Sequence, residues 1–404
     1  MNHHRRARFS GPMAAYGDGL RAELSTLAYA GSTVSSHLAL WAQVDRWLEG
    51  QGLGLSDLTA ARIEEFLAVR RQTQRYLYGI NALSPGLVFF RRIGAVPVAG
   101  AVAEESPVEA IERQFRDYLL IQRGLAETSV ETYALRARPF LTTRARHGRL
   151  DLESLTAADV SDFVAGWLPG LSKASARSTV TALRSLLSFL HATGVAATPL
   201  ASAVPTVASW RLAGLPIGLS QTQVHALLGA CDQSTAVGRR DFAMLTLLVR
   251  LGLRAGEAAA LSLDDIDWRS GTLRVHGKAN SHEQLPLPVD VGTALSNYLE
   301  HGRPSSASGR AVFIRAKAPF RALDRKSIST AVARAARRAG LGTVHAHRLR
   351  HTLATAVLRE GASLDEVGQL LRHRSRGSTA IYAKVDHDRL LLLARPWPTS
   401  AGPR

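Results

Sequence analysis

The spacing of apolar residues changes period once along the chain, and that change constrains the fold more than any other feature. Up to Leu251 apolar positions recur at helical intervals, as in Val108, Ile111, Phe115 and Leu119 or Val180, Leu183, Leu187 and Leu190. From Ile266 to Leu287 three short alternating stretches replace them: Ile266-Asp267-Trp268, Leu273-Arg274-Val275 and Gln284-Leu285-Pro286-Leu287. The runs Arg269-Ser270-Gly271 and Lys278-Ala279-Asn280-Ser281 between them suit turns. Helical spacing resumes over Asp290–Leu299, Ser327–Ala339, His347–Arg359 and Ser363–Leu371. The chain therefore reads as mainly α, with a small antiparallel β-sheet in its C-terminal part.

Two joins containing proline and glycine, Gly94–Pro107 and Thr198–Gly218, read as linkers. They divide the chain into an N-terminal helical extension (1–106), a middle helical domain (107–205) and a C-terminal domain (206–404). Thr156 is placed to cap a short helix, Ser220-Gln221-Thr222-Gln223 forms a capping box, and Gly252 stops the helix before it. The phrase Leu58-Thr59-Ala60-Ala61-Arg62-Ile63-Glu64-Glu65-Phe66 returns 97 residues later as Leu155-Thr156-Ala157-Ala158-Asp159-Val160-Ser161-Asp162-Phe163, and Ser32-Thr33-Val34 returns as Thr128-Ser129-Val130. Two matches in near register favour a degenerate duplicate of the middle domain over a shared helix-start phrase.

Charge points to the partner. The formal net charge is +17, and residues 211–404 hold 28 basic against 15 acidic side chains, so +13 of it falls in the last half. A polyanion is the natural partner, and arginine, which dominates the basic residues, presents a planar fork to phosphate. One cysteine, Cys231, forms no internal bridge, and no apolar run reaches membrane-spanning length. Met1–Ser10 carries His3, His4, Arg5, Arg6 and Arg8, but Gly11–Leu20 lacks the apolar stretch of a signal peptide, so a cytoplasmic compartment is expected.

Five short motifs then follow in order: Leu251-Gly252-Leu253-Arg254-Ala255-Gly256-Glu257, Gly277-Lys278, His347-Arg348-Leu349-Arg350-His351, Arg372-His373 and Tyr382. Together they resemble the active-site set of the tyrosine recombinases, the phage-integrase family, and the middle domain resembles that family's SAM-like core-binding domain. The resemblance implies a site-specific DNA recombinase, metal- and ATP-independent, that cleaves and rejoins strands through a 3′-phosphotyrosyl link. Integration, excision or transposition of a mobile element is the expected task.

Breaking a phosphodiester this way requires a nucleophile, neutralisation of charge on the non-bridging oxygens and a proton for the leaving alkoxide. Arg254 and Arg350 can bracket the phosphate, and Lys278, after a strand, can protonate the leaving oxygen. His347, Arg350 and His351 share one helical face. The resemblance makes Tyr382 the nucleophile, His347 an acid/base and His373 a hydrogen-bond donor, with Glu257 and His351 in support. Taken singly, each has a plainer reading: a core tyrosine, a turn lysine, a surface arginine. A zinc site at His345, His347 and His351 is disfavoured, because Arg348 and Arg350 would repel a cation and no carboxylate or thiol stands nearby; no cofactor is expected. Two departures from the family pattern stand out: Ala279-Asn280-Ser281-His282-Glu283 after Lys278, and Arg372 where a small residue is frequent.

The resemblance also implies a C-shaped clamp on duplex DNA and a homotetramer, or a complex with a related recombinase, on paired sites. Arg239, Arg240, Arg325, Lys326, Arg334, Arg337 and Arg338 are candidates for phosphate contact, and Lys173, Arg177 and Arg184 for a groove-facing helix. Asp386–Ala394, with Leu390–Leu393 consecutive, is too apolar for a free tail and suits either the chain's own core or a neighbouring protomer. Two other readings stand beside the recombinase: a catalytically silent DNA-binding regulator, and a type IB-like topoisomerase.

Overall fold

The computed structural model describes residues 8–73, 80–97, 105–146, 149–206, 218–277 and 282–372, together with Thr379 and Tyr382. The chain divides into two compact units, one of Ala99–Ala213 and one of Met1–Val98 with Gly214–Arg404. It is mainly helical among the described residues, and no described helix is long and apolar enough to cross a membrane.

The N-terminal part holds α1 (Gly17–Thr26), α2 (Gly31–Gly50), α3 (Ala60–Thr73) and α4 (Ile80–Arg92) around an apolar cluster of its own, centred on Trp41 and Phe90. Buried Asp45 on α2 gathers the incoming chain by accepting the backbone N–H groups of Ser10, Gly11 and Met13. Three N–H groups on one carboxylate satisfy donors that the irregular segment would otherwise bury unpaired.

Ala99–Ala213 contains α5 (Pro107–Asp117), α6 (Glu127–Arg144), the two-residue strands β1 (Ala145–Arg146) and β2 (Arg149–Leu150), α7 (Ala157–Trp167) and α8 (Lys173–Ala192). Pro107, read from the sequence as the end of a linker, is instead the first residue of α5. Ser106 caps that helix in a reciprocal box with Glu109, and proline suits a position whose N–H has no intrahelical partner. The second predicted linker also begins inside the core, since Leu200 and Val204 are buried with α8.

The two helical sets bury corresponding positions. Leu58, Ile63 and Leu67 are buried, and so are Leu155, Val160 and Val164, 97 residues on; Val34, Leu38 and Val44 pair with Val130, Ala134 and Phe140 at a spacing of 96. Thr59 accepts the N–H of Arg62 just as Thr156 accepts that of Asp159.

Residues 218–372 form α9 (Gln221–Gly229), α10 (Ala236–Leu251), α11 (Ala255–Ala260), β3 (Ile266–Asp267), β4 (Thr272–His276), β5 (His282–Pro286), α12 (Val289–His301), α13 (Arg325–Arg338), α14 (Ala346–Arg359) and α15 (Leu364–Leu370). The strands make the expected antiparallel sheet in the order β3-β4-β5, with Leu273 opposite both Ile266 and Leu285. Helix α10 is the axis of this core, with Met244, Leu245, Leu247 and Leu248 fully buried, each side chain contributing roughly 1.5–3 kcal/mol. It begins at Ala236, because Thr235 caps it by accepting the N–H of Gly238.

Candidate active site

Three pieces of backbone bring the predicted residues together: the corner between α10 and α11, one face of α14, and the end of α15. The corner turns at Gly252, in left-handed conformation at φ 58°, where a Cβ would sit 2.9 Å from Leu353 and 3.0 Å from Leu371. Arg254 then caps α11. Its backbone N–H donates to Glu257 Oε2 at 2.9 Å and its Nη1 to Oε1 at 2.5 Å, so one carboxylate holds both the backbone and the guanidinium of the residue. Burial disfavours the Glu257 charge, yet the Arg254 N–H and the two guanidiniums of Arg372 and Arg254 outweigh it and hold the carboxyl below its ordinary range.

On α14, His347, Arg350 and His351 fall on one face, as their spacing requires. The two histidine rings meet edge to face with centroids 4.3 Å apart. Arg350 is 1% exposed, and its fork is occupied by main-chain carbonyls: Nη1 donates to Gly252 at 2.6 Å and Nη2 to Leu371. Burial and the neighbouring Arg254 and Arg372 push this guanidinium down to about 10. Burial, Arg350 and Arg254 also lower His347.

Tyr382 lies at 1% exposure within a small apolar cluster of Ala354, Leu358, Val367 and Leu371. Its hydroxyl is 2.7 Å from His351 Nδ1. Burial drives the phenol up to about 12, with Arg350 opposing, and burial with His347 and Arg350 drives His351 down to about 4. At neutral pH the phenol is therefore the donor and Nδ1 the acceptor, which puts the imidazole proton on Nε2. Of the predicted set, Arg254, Glu257, His347, Arg350, His351 and Tyr382 come together here; Lys278, His373 and the 386–394 segment lie outside the described residues.

The structure adds Arg372, which sequence reasoning noted only as a departure from the family pattern. It adopts φ 56°, a left-handed conformation costing a non-glycine residue about 1 kcal/mol or more. With its side chain 5% exposed, it donates from Nη2 to Glu257 Oε2 at 2.9 Å. The signal available in the sequence was its position, between the apolar end of α15 and His373.

The candidate DNA contacts separate by environment. Lys173, Arg177, Arg325, Lys326, Arg337 and Arg338 are exposed, with Arg338 also donating to the Ala230 carbonyl. Arg239 and Arg184 are half-buried, donating to the carbonyls of His301 and Val204. Arg240, expected at the DNA surface, is instead 7% exposed: it chelates Asp241 and donates to the Ile314 carbonyl, while Arg334 takes the other Asp241 oxygen at 2.7 Å. A buried carboxylate at the core of α10 needs these cations, which removes Arg240 from the surface.

Residues 218–389 match the phage integrase family, and 113–194 match the phage integrase N-terminal SAM-like domain. The chain is 40% identical over 399 residues, 97% of its length and 96% of the relative's, to y4rA of Sinorhizobium fredii, named as a candidate integrase/recombinase. It is 32% identical over 284 residues, 68% of this chain and 92% of that protein, to the tyrosine recombinase XerC of Oceanobacillus iheyensis. Its fold is similar to that of a lambda integrase dimer bound to a COC′ core site, with a TM-score of 0.54 at 17% identity, covering 80% of this chain and 89% of that one. By sequence and by fold, the chain belongs to the tyrosine recombinase, or phage integrase, family of enzymes.

Proposed function

We propose that this protein cleaves and rejoins duplex DNA at specific sites by attack of Tyr382 on a phosphodiester, in the service of a mobile element. The Tyr382 phenol passes its proton to a histidine of the α14 face, its oxygen bonds to phosphorus, the bond to the 5′ oxygen breaks, and that oxygen takes a proton; religation reverses each step, so the phosphotyrosyl link conserves the bond energy. The observation that carries the reading is the meeting of Tyr382 with the α14 face that bears His347, Arg350 and His351, next to Arg254.

Arg254 and Arg350 supply fixed positive charge to the phosphate oxygens, with Glu257 orienting the first. His347, exposed and with its pKa lowered by partial desolvation and by Arg350 and Arg254, is suited to exchange a proton. The family resemblance assigns proton donation to Lys278 and a hydrogen bond to His373. The phosphate-contact set we favour is Lys173, Arg177, Arg325, Lys326 and Arg337, all exposed, on two domains acting as a clamp. Residues 1–106, 107–205 and 206–404 act as three domains in this reading, the first a diverged copy of the second; the paired buried positions and the matching Thr59 and Thr156 caps support that origin. The integration task is supported by the likeness, 40% identical over 97% of this chain, to y4rA, which is named as a candidate integrase/recombinase. A tetramer on paired sites, with 386–394 docked on a neighbour, completes the proposal.

Incubating wild type and Tyr382→Phe with nicked suicide duplexes carrying the gene's flanking sequence tests it. A denaturation-resistant protein–DNA adduct formed only by wild type supports the reading. Binding by both proteins with no adduct from either favours the silent regulator, and relaxation of any supercoiled plasmid without strand exchange favours the topoisomerase.

A further inference from the structure

We infer that Arg372 is a positioning residue that ties three parts of this active site into one rigid frame. The inference rests on the reading of the site as DNA-cleaving. Three contacts meet at this residue and a fourth at the residue just before it. Nη2 holds Glu257 Oε2 at 2.9 Å, the same carboxylate whose other oxygen holds Arg254. Nε lies 3.8 Å from Glu283 on β5, five positions after Lys278 in the sequence. Its carbonyl accepts from Arg254 Nη2 at 3.5 Å, and the carbonyl of Leu371 just before it accepts from Arg350. Both phosphate-facing arginines are thus braced against residues 371 and 372, one step before His373.

Two features argue against an incidental ion pair. A buried arginine close to two others is electrostatically unfavourable unless the shared carboxylate compensates, and Arg372 is one of the cations that lower Arg350. The left-handed backbone is strained for arginine, and such strain persists only where surrounding contacts over-determine it. Arginine in place of a small residue therefore links Arg254, the β5 strand and the His373 step through one side chain.

Full-length Arg372→Gly and Arg372→Asn test this, because both residues accept the left-handed backbone while removing the charge. On the suicide duplex we expect DNA affinity to stay within about threefold of wild type and the single-turnover cleavage rate to fall about 100-fold, the scale of a mispositioned catalytic group, with Arg372→Lys recovering part of the loss. Cleavage at the wild-type rate in the glycine and asparagine variants, or a loss that follows DNA affinity alone, overturns the inference. Titrating the Glu257 carboxyl by carbon NMR separates this result from failure of the functional reading. If wild type forms no adduct, a raised Glu257 titration in Arg372→Gly still supports the frame, and an unmoved one overturns it.

Discussion

His351 and Tyr382, 31 residues apart in sequence, share a 2.7 Å hydrogen bond in which the phenol donates to Nδ1. Both groups are neutral at pH 7, one because burial lifts it to about 12 and the other because burial and its cationic neighbours lower it to about 4. Tyr382 is therefore held as a protonated phenol in an apolar cluster, and in the reaction proposed above it must leave that cluster or lose its proton there before it can attack.

Tyr382→Phe removes the hydrogen bond to His351 and little volume. We expect it to cost about 0.5–1.5 kcal/mol of stability, leave DNA affinity intact and abolish adduct formation. Denaturant melts, a binding isotherm and the trapping assay read the three effects separately.

The depressed His351 value gives stability a specific acid dependence. Above the ordinary histidine range both folded and unfolded chains hold the ring neutral, so nothing is lost. As pH falls from about 6.5 towards 4 the unfolded chain takes the proton first, and this contribution to stability declines across that window. Melting as a function of pH should show the decline, and His351→Gln should flatten it.

At Gly252 an added methyl group meets two leucine side chains and a left-handed backbone together. Gly252→Ala is expected to destabilise the protein by about 1–3 kcal/mol. It should also slow cleavage, because the Gly252 carbonyl is one of the two that hold Arg350. Calorimetry and single-turnover kinetics on the same preparation check both.

Arginines that look alike in sequence should part in their effects. Arg240→Ala breaks a buried ion pair and should lower stability by about 3 kcal/mol or more with DNA affinity unchanged in the folded fraction. Arg325→Ala with Lys326→Ala should leave stability alone and reduce the slope of log affinity against log salt by about 2. Salt-dependent binding and thermal melts assign each residue to one class.

Much of this was legible in the sequence for local reasons. Ser220 and Thr156 announce helix starts because a short polar side chain three residues before a donor satisfies it, and the shift to alternating apolar residues after Ile266 marks the strands. The motif order located the α14 face. What the sequence hid was long-range: Arg240 reads as a surface cation until Asp241 and the Ile314 carbonyl, 74 residues away, are seen to claim it. Pro107 reads as a breaker unless Ser106 is recognised as a cap. The bond between His351 and Tyr382 depends on how α14 meets a residue 31 positions on, and no periodicity encodes it.

Arg350 is buried, and both of its terminal nitrogens are claimed by carbonyls of its own chain when the protein folds. In the reaction proposed above, an arriving phosphate meets a guanidinium already fixed in place, and little of the binding energy goes into reorganising it. In that reaction, whether a bound site reacts is decided elsewhere, by the timing of the tyrosine's release; the electrostatics stand permanently armed and Tyr382 is the trigger.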